Sequence, residues 1–339
     1  MKKKWNLYNI SESRGVILGV ATLIVAFFHC FSYHFENITS NVFLIDLLYF
    51  LRKMGNIGVD LFLFLSAVGL YFSFSKDSNI KNFYKKRLIR ILPSILIVGT
   101  IYYAYRQVGL LTYLKNITFI SFFTSGVRDL WYFALIVILY LLFPILYKII
   151  DKKGLRGLIG LLLVVVGLAI LMFNFTPGLY KNIEIAVTRI PVFLIGLYLG
   201  EKIKNKREIP EISIILFFLL FIICNVVLFN VSFKYYMCVR YIYCILGISI
   251  VFIISYLHSK VKYELTDKVL VFFGTYSLEV YLIFEKLAIE VRKLSFVHVQ
   301  NNFLFYTVMF IITMILSILL KKLCDLIVNK IIMRKNEAK

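Results

Sequence analysis

Runs of close to twenty apolar residues, set apart by short stretches rich in Lys and Arg, recur along the whole chain. The first, Gly15 to Tyr33, carries Ile17, Leu18, Val20, Leu23, Ile24, Val25, Phe27 and Phe28 and has no polar face broad enough for water. Since about 20 helical residues cross a bilayer core, these runs predict spans at about 15–35, 57–75, 91–109, 130–149, 157–173, 184–200, 210–230, 238–257, 269–290 and 303–325. The expectation is an all-α fold: a polytopic membrane helix bundle of about ten transmembrane helices. Residues 1–339 read as one domain, with spans from about 15 to 325 and a basic tail at 326–339. Val42–Leu51 reads as a short interfacial helix, and Tyr113–Thr124 as a half-buried segment inside the one long connection.

Composition agrees: 61% of the 339 residues are apolar and 17% charged, far from the balance of a soluble globule. The formal net charge of +21 invites a nucleic-acid partner, but the basic residues fall between apolar runs, so the charge is topological. With the N-terminus inside, the connections on its side and the tail collect 27 of the 39 Lys and Arg residues. The opposite side collects nine, among them Arg52, Arg106, Arg128 and Lys293. By the positive-inside rule both termini are then cytoplasmic, and the basic N-terminal stretch is a lead-in to a retained first helix. The five cysteines have no CxxC spacing and imply neither a disulfide framework nor a metal site.

Against this background the intramembrane polar residues stand out, because an ionisable group in a span is a functional-site candidate by default. His29 lies about 15 residues beyond Arg14, or about 22 Å at 1.5 Å per residue. Asp60 lies at a matching depth in the second span, so an Asp–His pair between the two helices is one reading, with the imidazole acting as a base. An interhelical hydrogen bond that only packs the bundle is the other. His34, His258 and His298 fall at span ends or in loops. FYKKRLIRILP puts Arg87 and Arg90 on one helix face ahead of Pro93, with guanidinium forks suited to phosphate; plain positive-inside charge competes with that reading. Glu279 and Glu285 do not share a narrow face. Glu279 is the one placed to meet Arg14, Arg87 or Arg90, and Glu285 to pair with something deeper or with the neighbourhood of Lys286. Arg240 and Lys286 are near enough to span ends to snorkel, while Arg189 faces the interior. Arg128, Asp129 and Trp131 suit either an aromatic belt or a sugar site.

Taken together, Arg14 followed by His29, NIGVDLFLFLS, FYKKRLIRILP, LWYF, RIPVFLIGLYLG and GTYSLEVYL resemble, in order and position, the acyltransferase 3 family of integral membrane O-acyltransferases. The resemblance runs from about Arg14 to the tenth span. It implies transfer of an acyl group, acetyl or succinyl, from cytoplasmic acyl-coenzyme A to a hydroxyl of a cell-surface or exported carbohydrate at a bacterial cytoplasmic membrane. It makes His29 the catalytic base or acyl carrier, with Asp60 as orienter. Arg14, Arg87, Arg90 and Glu279 then serve the donor, and Arg128, Asp129 and Trp131 the acceptor. No permanently bound cofactor, metal or nucleic acid is implied; the partners are acyl-coenzyme A, the carbohydrate, lipid and glycan synthesis or export machinery. Ser66-Ala67 stands where a Ser-Gly pair is common, and Phe284-Glu285 where many relatives have a histidine, which speaks against a catalytic Glu285. The competing class is a transporter of polysaccharide or lipid-linked glycan, for which no paired repeat is evident.

Overall fold

The computed structural model describes residues 4–30, 35–37, 39–230, 236–294 and 302–337. His34 and His298 lie outside them. In chain order the elements are β1 (Lys4–Asn6), α1 (Asn9–Glu12), α2 (Arg14–Phe28), α3 (Val42–Met54), α4 (Gly58–Lys76), α5 (Ile80–Tyr105), α6 (Leu110–Ile117), α7 (Ile120–Ser125) and α8 (Trp131–Phe175). They continue with α9 (Pro177–Val187), α10 (Ile190–Lys204), β2 (Glu208–Pro210), α11 (Ile212–Asn230), α12 (Tyr236–Lys260), α13 (Glu264–Thr275), α14 (Ser277–Arg292) and α15 (Asn302–Glu337). Among the described residues, six helical stretches are long and apolar enough to cross a membrane: Val42–Lys76, Ile80–Tyr105, Trp131–Phe175, Pro177–Lys204, Val239–Lys260 and Phe303–Lys330. Arg14–Phe28 and Ile212–Leu228 are shorter apolar helices. This is a multi-pass all-α membrane bundle. The many large apolar side chains left exposed on α8, α11 and α15 are what lipid-facing helices require.

Local sequence sets the breaks. Gly154 (φ 53°, ψ −129°) interrupts α8 inside the basic turn DKKGLR, a backbone setting that L side chains adopt only with strain. The 45 residues of α8 therefore hold the two apolar runs read as the fourth and fifth spans. Asn79 caps α5 by accepting from the Asn82 N–H at 3.1 Å, so α5 starts eleven residues before the expected 91 and carries Arg87 and Arg90 within it. Pro93 sits inside that helix and does not end it. The apolar run at 269–290 is two helices, α13 and α14, divided at Tyr276 (φ −107°, ψ 12°). The connection expected at 106–129 contains α6 and α7, and α3 forms where the interfacial helix was expected.

Packing fixes which helices surround the polar residues. α2 lies against α13 so closely that a Cβ on Gly19 would overlap the carbonyl of Leu270, and one on Gly274 would lie 2.6 Å from the Gly15 oxygen. Small residues let membrane helices approach to backbone contact, where dispersion replaces the missing hydrophobic driving force. α4, buried along most of its length, packs against α10, α2 and α12. One end of the bundle is tied by β1 pairing with β2 (Trp5 opposite Ile209) and by Trp5 Nε1 donating to Ser259 Oγ at 3.1 Å. Ser13 Oγ donates to Ser255 Oγ at 2.9 Å, and His258 Nε2 meets Asp267 Oδ2 at 3.1 Å at the same end. Arg14, Asp77 and Arg87 belong to this basic end; His29, Asp60 and Arg189 lie toward the other.

Candidate active site

Helix α2 carries Arg14 at its first residue and ends at His29, so its two polar landmarks are separated by the helix's own length. At the basic end, Arg14, Arg87 and Arg90 line one cavity of about 280 Å³ with Ser66, Tyr132 and Tyr140. α5 supplies two of the arginines, three residues apart. Gly69 on α4 leaves the space for the third: a Cβ there would sit 3.5 Å from Arg14 Nη2. Arg87 Nη2 donates to Ser73 Oγ at 3.0 Å, and its guanidinium stacks 5.6 Å from the Phe83 centroid. The Nε–H groups of Arg14 and Arg87 are buried with no acceptor among the described residues. Three cations facing one cavity, two with donors still to satisfy, have the chemistry to take a multiply charged anion.

Glu279 is buried near this cavity but forms no ion pair with Arg14, Arg87 or Arg90 among the described residues; Lys321, Arg90 and Asp325 are its charged neighbours. Its pairing with an arginine of the cavity is therefore not what the structure contains. It occupies the first turn of α14, where a carboxylate complements the positive helix end.

The second polar centre lies beyond the arginines. His29 Nδ1 is 3.4 Å from Glu285 Oε1, and both side chains line a tight cleft with Thr22, Phe62, Ser277, Tyr281 and Phe284. The space there is about 10 Å³, room for about one water. Phe62, Ser277 and Tyr281 are walls of both this cleft and the arginine cavity. The two spaces therefore adjoin, and the break at Tyr276 puts the start of α14 at their common wall.

Asp60 is not part of this pair, which corrects the expected Asp–His couple. At this level of α4, Gly58 faces α2, its Cβ direction lying against Val25. Two residues on, a helix has turned about 200°, so Asp60 points to α12, where a Cβ on Gly247 would lie 3.0 Å from its own Cβ. There Asp60 Oδ1 is 3.5 Å from Arg189 Nε, and Arg189 donates to the Ile185 and Asn56 carbonyls at 2.9 and 3.2 Å. Glu184 Oε2 is 3.6 Å from Arg240 Nε, and Glu184 Oε1 accepts from Arg128 Nη2 at 3.1 Å. Arg240 is thus buried among charges and does not snorkel. Lys286 is likewise buried.

The acceptor candidates are separated. Arg128 goes to Glu184 and to the Lys181 carbonyl at 2.9 Å, Asp129 Oδ2 accepts from Tyr103 at 3.4 Å, and Trp131 holds the Arg189 guanidinium 5.1 Å from its ring. Glu285 is the polar side chain that sequence reasoning set aside; its signal was a carboxylate inside a span, which must find a partner.

A family model, that of the acyltransferase domain of the acyltransferase 3 family, matches residues 17–322. No curated protein and no solved structure matches the chain. The match runs from within α2 to within α15 and takes in Arg87, Arg90, His29 and Glu285, with Arg14 just ahead of it. The chain belongs to the acyltransferase 3 family, and it is a multi-pass membrane acyltransferase.

Proposed function

We propose that the protein transfers an acyl group, acetyl or succinyl, from cytoplasmic acyl-coenzyme A to a hydroxyl of a cell-surface or exported carbohydrate, working in a bacterial cytoplasmic membrane. Ten spans with both termini in the cytoplasm put the basic end inside, where the donor is made. The observation that carries the reading is the wall of Phe62, Ser277 and Tyr281, shared by the arginine cavity and the His29–Glu285 cleft.

In this reading Arg14, Arg87 and Arg90 hold the donor's phosphates, and its thioester reaches toward the shared wall. The acceptor hydroxyl comes to His29 from the other face. His29 Nε2 takes the hydroxyl proton as the oxygen attacks the thioester carbonyl; the C–S bond then breaks and the leaving sulfur receives that proton. Glu285 stabilises the transient imidazolium, the part first given to Asp60. The start of α14 at Ser277 turns a positive helix end toward the carbonyl oxygen as charge develops on it. Asp60 and Arg189 act indirectly, by setting α4 against α10 and α12. Arg128, Asp129 and Trp131 then serve the acceptor only at a distance, since each is engaged elsewhere.

The test is mass analysis of surface and exported glycans from cells carrying the wild-type protein, His29→Ala, or none. The expected result is an acyl mass present only with the wild type, at equal membrane levels of the two proteins. Unchanged acylation with His29→Ala would overturn the assignment.

A further inference from the structure

On the opposite flank of α14 from the His29 cleft, an apolar cleft of about 550 Å³ opens between α5, α14 and α15. That volume is within the roughly 300–1,000 Å³ typical of small-molecule sites. Its walls include Ile97 and Ile101 of α5, Ile283 and Leu287 of α14, and Leu316 and Leu320 of α15. Ile101, Tyr105, Leu319 and Leu323 at its edges are exposed, so it faces the hydrocarbon sideways. An apolar cleft in a membrane is filled by lipid chains whatever its sequence; the distinguishing feature is Lys286. This side chain is 9% exposed and lines the cleft. Among the described residues its ammonium has no hydrogen-bond or salt-bridge partner, and its contact is the Tyr102 ring at 5.8 Å.

The surrounding carboxylates, Glu285 first and Asp129 after it, act on that cation without an ion pair among the described residues. Glu285, its neighbour in sequence, lies about 100° round the helix and is occupied with His29. Glu290, one turn on and also in the cleft, is held by Lys293 at 3.1 Å. Asp129 acts on Lys286 only at longer range and accepts from Tyr103. Arg106 Nη1 donates to the Tyr102 hydroxyl at 3.0 Å, which brings a second cation to the same ring. A buried ammonium is costly in a membrane unless an anion meets it, and a cleft with apolar walls and a cation answers to an amphiphile with an anionic head.

We propose that this cleft binds an anionic phospholipid of the membrane, its phosphate between Lys286 and Arg106 and one acyl chain running between α5 and α15. The site stands on its own geometry and does not depend on the acceptor or donor chemistry.

The test is native mass spectrometry of the full-length protein in detergent, titrated with phosphatidylglycerol and phosphatidylcholine of identical chains. The wild type retains phosphatidylglycerol about tenfold better, the size of one charge-assisted hydrogen bond. Lys286→Gln removes that preference, Lys286→Arg keeps it, and Ile101→Trp, which fills the cleft, weakens retention of both lipids. Equal retention of the two lipids by the wild type overturns the proposal with no variant needed. So does an unchanged preference in Lys286→Gln that elutes as a monodisperse species. Displacement of phosphatidylglycerol by an equimolar polyisoprenyl phosphate assigns the cleft to a carrier lipid and overturns the choice of a bulk phospholipid.

Discussion

Two buried ionic centres sit in this bundle, and they differ in what surrounds them. The Asp60, Arg189, Glu184 and Arg240 group is closed to solvent: each member is under 10% exposed, and Cys244, the Asn56 carbonyl and the Trp131 ring lie against it, although Asp60 Oδ2 has no hydrogen-bond partner among the described residues. The His29–Glu285 couple is as deep but looser, with Glu285 39% exposed at its side chain and a cleft against both residues. Charge inside a membrane is thus not enough to mark the chemistry; what separates a site from a strut is space beside the charge. The closed group joins α4, α9, α10 and α12, and the open couple keeps a small space beside it.

That contrast is broken most directly at its two centres. His29→Ala is expected to lower turnover by about 10²–10⁴, the usual contribution of a general base, with the unfolding temperature close to wild type; activity of purified protein beside a thermal melt checks both. Asp60→Leu is expected to behave the other way. It leaves Arg189 buried without its carboxylate and costs about 3–5 kcal/mol of stability, whereas Asp60→Leu with Arg189→Met recovers most of that loss, as denaturation of the single and double variants in detergent will show. Glu285→Gln keeps shape but removes charge, so turnover falls by about tenfold, in line with one charged hydrogen bond. An effect on stability larger than that on rate would move Glu285 into the structural class.

The smallest effect concerns the basic end. Asp77 follows α4, and the Asn79 backbone N–H together with Lys86 holds its carboxyl below the usual range. A lowered folded value means its contribution is fully present above about pH 4, the ordinary Asp value, and is lost as pH falls through the folded value. Asp77→Asn should therefore melt slightly below the wild type by a constant amount between pH 6 and pH 8, and the two converge further in acid.

Depth along the membrane was legible in the sequence; direction around each helix was not. The rise per residue put His29 and Asp60 at one level, and both are at the far end from Arg14. Nothing in one sequence says that Gly58 faces α2, and that fact turns Asp60 toward Arg189. Arg14, Arg87 and Arg90 were legible because three arginines in one order among apolar residues have few other uses, and they do meet at one cavity. The break at Tyr276 hid inside a run apolar enough to read as one span, although GTYS is its least apolar stretch. Glu285 was set aside because a histidine was expected near it, while the physical demand that a carboxylate inside a span be paired pointed to it all along.

The central claim is that the arginine cavity and the His29 cleft are successive parts of one transfer path. Calorimetric titration of coenzyme A into purified wild type, His29→Ala and Arg87→Ala, each paired with an acyl-transfer assay, tests it most directly. The account predicts wild-type affinity with no transfer for His29→Ala, and affinity lowered about tenfold for Arg87→Ala, the loss of one charge-assisted contact. Transfer at the wild-type rate by His29→Ala, or undiminished coenzyme A binding by Arg87→Ala, would contradict it.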